Sequence, residues 1–360
     1  MANIINLNDP EGDFLKSLTR CFQSGNLNFL LGSGASSPAI SIAGNIELEI
    51  AKLQNSGEEK DALTTLYEFI RDLIIPNQSL ATDTPMMIQD GEEEDQHKKR
   101  LKNLRNTLNN YTNFIGVIEN ILNERKTSLI SKQANVFTSN YDLFFESAAD
   151  RFQTIKLNDG FVRTCNLKCE YNYSPQSFFN STFNTGNLYN YKVEIPAINL
   201  IKLHGSLTWK RSKSAITFSV GFPEPIIGLK TLSKLKEYLD NFSIILPQIS
   251  KFKETIMDRT YYELLRLFAN ELDKENTFLI AFGFSFEDEH ILEITRRALK
   301  NPTLKLMIIA YDQDAVQSYE EKFKGFYNVD IVAPLEGEVT SFDKLNQLMD
   351  SVTSVPVLTL

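Results

Sequence analysis

Asn28-Phe29-Leu30-Leu31-Gly32-Ser33-Gly34-Ala35-Ser36 is a short apolar run ending in a glycine-rich turn, the layout of a buried strand that feeds a tight loop. Four further runs share this strand character: Asn135-Val136-Phe137, Ile198 to Leu203, Phe278 to Phe282 and Leu304 to Ala310. All but the second are followed by helical periodicity, over Leu143 to Phe152, His290 to Leu299 and Ala315 to Phe323. Strand and helix in alternation predict an α/β fold with a Rossmann-like parallel sheet, because parallel neighbours need a crossover that a helix supplies. Ahead of the glycine turn, Phe14, Leu15, Leu18, Cys21 and Phe22 share one helical face, with Asp9 as cap, Pro10 at the first helical position and Gly25 as the stop.

Outside these elements the pattern changes twice. Over 47–130 the apolar positions recur mostly at helical spacing, broken by Pro76, by the polar stretch near Pro85 and by Gly91-Glu92-Glu93-Glu94-Asp95, which predicts a helical insertion with one exposed loop. The acidic run and the following Lys98-Lys99-Arg100 read as a solvated loop and helix start. Residues 159–195 are rich in Asn, Tyr, Phe and Ser without a period, which predicts a small irregular inserted module. Both lie within a single domain spanning 1–360, closed by an amphipathic helix around Phe342, Leu345, Leu348 and Met349.

Composition narrows the function classes. A net charge of -9 argues against a broad basic surface for gripping nucleic acid. No run reaches the ~20 apolar residues of a membrane span. The N-terminus MANIINLNDP lacks the basic-then-apolar layout of a secretory signal, and Cys21, Cys165 and Cys169 form no disulfide framework, so a cytoplasmic protein is expected.

Four polar constellations stand at the ends of predicted strands, where open α/β sheets bind ligands. Gly32-Ser33-Gly34 would let backbone amides approach a pyrophosphate, although the third glycine of the dinucleotide fingerprint is missing and a structural turn explains the pair as well. In Thr138-Ser139-Asn140-Tyr141-Asp142, Asn140 and Asp142 are suited to holding ribose hydroxyls or a water, and Asp142 is equally suited to capping a helix. Lys202-Leu203-His204-Gly205-Ser206 places one of only three histidines beside a glycine that permits close ligand approach. His97 falls in the charged loop and His290 starts a helix, so His204 is the candidate general base, with a structural histidine as the alternative. Gly283-Phe284-Ser285 is a second phosphate or ribose contact, or simply a capped strand-to-helix turn.

Taken in order, these motifs resemble the sirtuin (Sir2-type) superfamily, in particular the divergent bacterial sirtuin-like domains of anti-phage defence. Gly32-Ser33-Gly34-Ala35-Ser36 is similar to the family's nucleotide-binding turn, Thr138-Ser139-Asn140-Tyr141-Asp142 to its Thr-x-Asn-x-Asp box, Leu203-His204-Gly205 to its Leu-His-Gly box and Gly283-Phe284-Ser285 to its late Gly-x-Ser turn. The resemblance implies that NAD+ is the substrate, with Gly32, Ser33, Gly34, Ala35 and Ser36 at the pyrophosphate and Ser285 nearby. Thr138, Asp142 and Gly283 belong to the same binding set; Asn140 would sit at the nicotinamide ribose, and His204 would act as base. Asp312, just past the last predicted strand, is matched to the adenosine end.

Two departures shape the expectation. Sirtuin deacylases carry a zinc module with paired Cys-x-x-Cys motifs, whereas Cys165 and Cys169 stand at a wider spacing and Cys21 lies far off, so neither zinc nor any other metal is expected. Ser37-Pro38-Ala39-Ile40 stands in place of the Pro-Asp-Phe-Arg core that shapes the family's nicotinamide pocket. The expected activity is thus NAD+ hydrolysis to nicotinamide and ADP-ribose. The same motifs suit two alternatives, an NAD-dependent protein deacylase or a non-enzymatic NAD or ADP-ribose sensor in a larger complex. Because unrestrained NAD+ cleavage is hazardous, control by homo-oligomerisation or by a partner is expected, and the resemblance implies a HerA-type ATPase or a phage-derived trigger as that partner. The last helix and the helical insertion are candidate contact surfaces, with ordinary packing within the chain as the alternative for both.

Overall fold

The computed structural model describes residues 2–8, 10, 12–40, 44–82, 84–86, 88, 91–125, 130–163, 171–186, 192–212, 215–226, 228–242 and 259–353. Its centre is an eight-stranded sheet built from β1 (Asn3–Asn6), β2 (Asn26–Leu31), β3 (Gln133–Thr138), β4 (Lys156–Asn158), β7 (Ala197–Lys202), β10 (Thr277–Phe282), β11 (Lys305–Ile309) and β12 (Val329–Ala333). The order is β1-β12-β11-β10-β2-β3-β7-β4, and every neighbouring pair is parallel. From β2 the chain builds outward through β3 and β7, then crosses to β10, β11 and β12 on the other side. The reversal falls between β2 and β10, and ligands of open α/β sheets settle beyond the carboxyl ends of the strands at such a point.

Successive side chains of a strand point to opposite faces, and both faces here are covered. Leu27, Phe29 and Leu31 of β2 face a layer made by α1 (Gly12–Ser24), α4 (Glu94–Glu124), α5 (Phe144–Ala149) and α10 (Phe342–Thr353). Leu30, with Phe137 and Ile201 of the neighbouring strands, faces α7 (Arg259–Leu272), α8 (Glu289–Ala298) and α9 (Gln313–Lys322). A third apolar cluster joins α2 (Gly44–Asn55), α3 (Glu59–Thr82) and α6 (Leu232–Leu239) to Tyr141 and Leu207, the loops that leave β3 and β7. Among the described residues no helix is long and apolar enough to cross a membrane.

One polar feature interrupts the apolar strands. Asn28, Asn135 and Asn199 stand in register across β2, β3 and β7, and Asn158 of β4 pairs with Asn199. Each side-chain amide donates to the carbonyl of the next, Asn135 to Asn28 at 2.9 Å, Asn199 to Asn135 at 2.9 Å and Asn158 to Asn199 at 3.0 Å. Glu271 of α7 accepts a further bond from Asn135 at 3.0 Å. A buried polar group costs little only when its partners are present, and this ladder supplies them strand to strand.

The structure adds to and corrects the sequence expectations. All five expected strands are present, and the sheet also takes in β1, β4 and β12. These escape a pattern search because β1 and β4 have only 4 and 3 residues and Asp330 interrupts β12. Helix α1 starts at Gly12, so Pro10 lies ahead of it instead of at its first position, and Asp9 lies outside the described residues. Between β2 and β3 the chain is helical, but α4 is the crossover helix of the main layer, and only α2 and α3 join the separate cluster with α6. Glu92 is not a solvated charge, since its carboxylate, with only 6% of the side chain exposed, pairs with Arg100 at 2.8 Å. Within 159–195 the described parts form a 3-10 turn over Pro175–Phe179 and the antiparallel pair β5 (Phe183–Asn184) and β6 (Val193–Glu194). A second small pair, β8 (Trp209–Ser212) and β9 (Ala215–Phe218), follows β7. Phe342, Leu345, Leu348 and Met349 are buried against α1 and α4, so of the two readings of the last helix its apolar face follows ordinary packing within the chain.

Candidate functional site

The turn that leaves β2 and the turn that leaves β10 are packed backbone against backbone. Gly32 donates its amide to the carbonyl of Phe282 at 3.0 Å, and Gly34 donates to Gly283 at 3.0 Å. A Cβ on Gly32 would stand 2.2 Å from the Gly283 carbonyl oxygen, and one on Gly34 would stand 2.8 Å from the Gly283 Cα. Gly283 itself adopts φ +63 and would place a Cβ 2.5 Å from the Ala35 nitrogen. The glycines are required by this contact, and the amides of Gly32 and Gly34 are engaged by it. Ser33 opens the single 3-10 turn Ser33–Ser36, in which Ala35 and Ser36 are buried.

Asn140 locks that turn from the β3 side. The Thr138 hydroxyl accepts the Asn140 amide proton at 3.0 Å, which curls the chain as it leaves the strand. The Asn140 side-chain amide donates to the Gly32 carbonyl at 2.9 Å and to Ser36 Oγ at 3.1 Å. Since a carbonyl only accepts, the group facing Gly32 must be Nδ2. Ser36 has one proton, which it gives to Asp142 Oδ2 at 2.6 Å; its bond with the Tyr111 hydroxyl, 2.9 Å long, is therefore donated by the tyrosine. Burial pushes the Tyr111 hydroxyl well above its ordinary value, and the Asp142 charge pushes the same way, so the phenol keeps its proton. Asp142 also accepts from the Phe144 amide at 3.3 Å, so it does part of the work of a helix cap. Burial raises its carboxyl above the usual range, with Lys202 and Ser36 pulling the other way.

His204 follows β7 at a turn that Gly205 makes possible with φ +83. It is 8% exposed, and its Nε2 lies 3.0 Å from Asp288 Oδ2. The other oxygen of Asp288 caps α8, accepting from the amides of His290 at 3.0 Å and Ile291 at 3.3 Å. Lys202, 3% exposed, ties this turn to the Asn140 loop. Its ammonium pairs with Glu146 at 2.7 Å, donates to Ser206 Oγ at 3.1 Å and donates to the Asp142 carbonyl. Burial likewise raises the Glu146 carboxyl, and Lys202 opposes it. The Leu207 amide donates to the Tyr141 carbonyl at 3.1 Å and closes the same seam.

The structure thus brings Gly32, Gly34, Ala35, Ser36, Thr138, Asn140, Asp142 and Gly283 into one bonded unit and joins His204 to it through Lys202. Ser285 is exposed, with its carbonyl accepting from Lys322 at 2.9 Å. Asp312 stands past β11, and its carboxylate caps α9 through the Ala315 amide at 2.9 Å, outside this unit. Tyr111, Glu146, Lys202 and Asp288 were assigned no role from sequence. For Lys202 a signal existed, since a lysine at the end of a strand buried on both faces needs a specific partner. Tyr111 lies within the long helix α4, and nothing local marks it. Cys165 and Cys169 lie outside the described residues, and among those described no group of three metal-ligating side chains occurs.

Among curated proteins no relative matches the chain. A family model does, over residues 134–332, a span that contains Asn140, His204 and Gly283 while the glycine turn at Gly32 lies outside it, bonded to its residues. That description reads SIR2-like domain, and it covers more than half of the 360 residues. With that match, and with the candidate residues assembled at the carboxyl ends of a Rossmann-like parallel sheet, the protein belongs to the SIR2-like family and to NAD-related chemistry.

Proposed function

We propose that the chain is an NAD+ glycohydrolase that releases nicotinamide and leaves ADP-ribose. One observation carries this proposal: the Asn140 and His204 loops leave adjacent parallel strands and are joined by a buried lysine beside the glycine seam at the sheet's reversal point. The donor set suits a dinucleotide. With both side-chain protons of Asn140 engaged by Gly32 and Ser36, its Oδ1 is the atom it offers to a ribose hydroxyl. Ser33, Ser36 and Ser285 are the remaining candidates for the phosphates, since Ala35 gives its amide to the Gly32 carbonyl at 3.0 Å, and Asp312 is the candidate for the adenosine end.

Departure of neutral nicotinamide from the cationic precursor needs no strong acid, and water captures the oxocarbenium-like ribosyl centre. What the protein supplies is a held ribose, an excluded solvent and His204 to take the proton from the attacking water. The resemblance to defence-type sirtuin-like domains supports a role in draining NAD+ during phage infection, in the cytoplasm, under control of a HerA-type ATPase, a phage-derived trigger or self-association. Nicotinamide release, measured with and without an acetylated peptide, is the test. Release without peptide is expected. Release that depends on peptide would make the protein a deacylase, and tight NAD+ binding without turnover would make it a sensor.

A further inference from the structure

We infer that Asp288 is a positioning residue for His204, fixing the tautomer that leaves Nδ1 as the basic atom; this rests on the proposed NAD+ hydrolysis. An ionised carboxylate repels a lone pair and attracts an N–H, so Asp288 Oδ2, 3.0 Å from Nε2, favours the neutral His204 that carries its proton on Nε2. The lone pair is then on Nδ1. The carboxylate cannot turn away to relieve this constraint, because its Oδ1 is held by two amides of the first turn of α8. The imidazole is held as well, since it sits on the Gly205 turn and is 8% exposed.

The two partners come from opposite sides of the sheet's reversal. His204 follows β7 and Asp288 follows β10, with β2 and β3 between those strands. At about 4.8 Å per neighbouring strand, their parent strands stand roughly 14 Å apart. The contact therefore brings the two sides of the crevice together across the ends of the strands that carry the glycine turn and Asn140. A carboxylate behind a histidine is a recurrent way to fix which nitrogen works as base and to stabilise the imidazolium formed when it takes a proton. Here the carboxylate is itself bolted to a helix terminus, so the orientation of the base follows α8.

The experiment uses the full chain with 15N-labelled histidine. There are three histidines, and His204→Gln assigns the relevant signal. At about pH 8.5, where free imidazole is neutral, the His204 signals are expected to show the Nε2-protonated form in the wild type and a mixture of tautomers in Asp288→Asn. Asparagine remains a good helix cap, so this variant should keep the wild-type melting temperature, whereas Asp288→Ala should lose a few degrees. In nicotinamide release, Asp288→Asn should lower kcat roughly 10²–10⁴-fold with little change in KM. An unchanged tautomer in Asp288→Asn, or wild-type kcat from it, would overturn the inference. If the wild type releases no nicotinamide at all, the hydrolase proposal fails, and the tautomer measurement still decides whether Asp288 sets the state of His204.

Discussion

Gly32→Ala is the sharpest probe of the seam on which the site is built. The added Cβ would fall 2.2 Å from the Gly283 carbonyl oxygen, 2.6 Å from the Phe284 Cα and 2.8 Å from the Gly283 carbonyl carbon, all of them backbone atoms. No side chain can swing aside, so the turn after β2 and the turn after β10 must part by about 1 Å to reach the ordinary contact range of ~3.5 Å. Overpacking of this kind costs about 1–3 kcal/mol. Three bonds cross or hang on the seam, from Gly32 to Phe282, from Gly34 to Gly283 and from Asn140 to the Gly32 carbonyl. Weakening one or two of them, at about 1 kcal/mol each, brings the total to about 2–5 kcal/mol. Gly34→Ala meets its nearest atom only at 2.8 Å and should lose less. Gly12→Ala, with nothing within 4 Å, should lose nothing and serves as control. The measurement is chemical denaturation of the three variants beside nicotinamide release, with stability and turnover falling in the order Gly12, Gly34, Gly32. A Gly32→Ala protein as stable and active as the Gly12→Ala control would show that the two turns do not form a rigid unit.

Lys202→Met should be strongly destabilising, by about 3–5 kcal/mol, because it leaves the Glu146 carboxylate unpaired in a dehydrated place; Lys202→Met with Glu146→Gln should recover part of the loss, and denaturation curves of the two decide it. The raised carboxyl of Asp142 favours its protonated form in the fold, so its contribution to stability is fully present below the usual carboxylate range and is lost as pH rises through its folded value. Melting curves from pH 4 to pH 7 should therefore show the wild type losing ground to Asp142→Asn as pH increases, and an advantage that grows with pH would contradict the assignment. Arg125→Lys should cost about 2–4 kcal/mol, since the guanidinium donates to the carbonyls of Phe22 at 3.1 Å, Gly25 at 2.8 Å and Ser131 at 2.6 Å and an ammonium cannot span all three; a melting temperature within a degree of wild type would refute this. Asn140→Ala and His204→Ala should each lower nicotinamide release by about 10²–10⁴-fold, but only Asn140→Ala should also melt lower, because it removes the side-chain bonds to the Gly32 carbonyl and to Ser36.

The strands that carry the site were legible because burial on both faces leaves a continuous apolar run, and the polar residues that break such a run at its carboxyl end are conspicuous. Gly32, Asn140, His204 and Gly283 stand out as candidates in this way. Their roles were less legible than their places. The glycine turn suggested room for a phosphate, whereas the structure shows that its glycines first make room for another glycine, at Gly283. That contact spans some 250 residues of sequence and leaves no local trace. Asp288 was visible only as the residue before a helix, since its second oxygen does its work on a histidine from another strand. The missed strands β1 and β12 are too short or too interrupted for a period to emerge, and register, of β12 with β11 and of β1 with β12, which no local pattern encodes, is what makes them strands.

The asparagine ladder has a consequence for how this site can go wrong. Strands that are apolar on both sides have few internal marks, and a slip of one residue would move a strand end by about 3.3 Å and turn its side chains to the opposite face. The four asparagines act as a datum line ruled across β2, β3, β7 and β4. Measured from it, Asn140 lies five residues past Asn135 and His204 five past Asn199, so the two candidate loops leave the sheet at one height. A chain with every motif residue in place but leucines at the line would keep a well-buried sheet with nothing to align its edges. Loss of activity in such a chain would look like a defect of the chemistry, although its origin would be a miscount, several residues away, in the strands beneath.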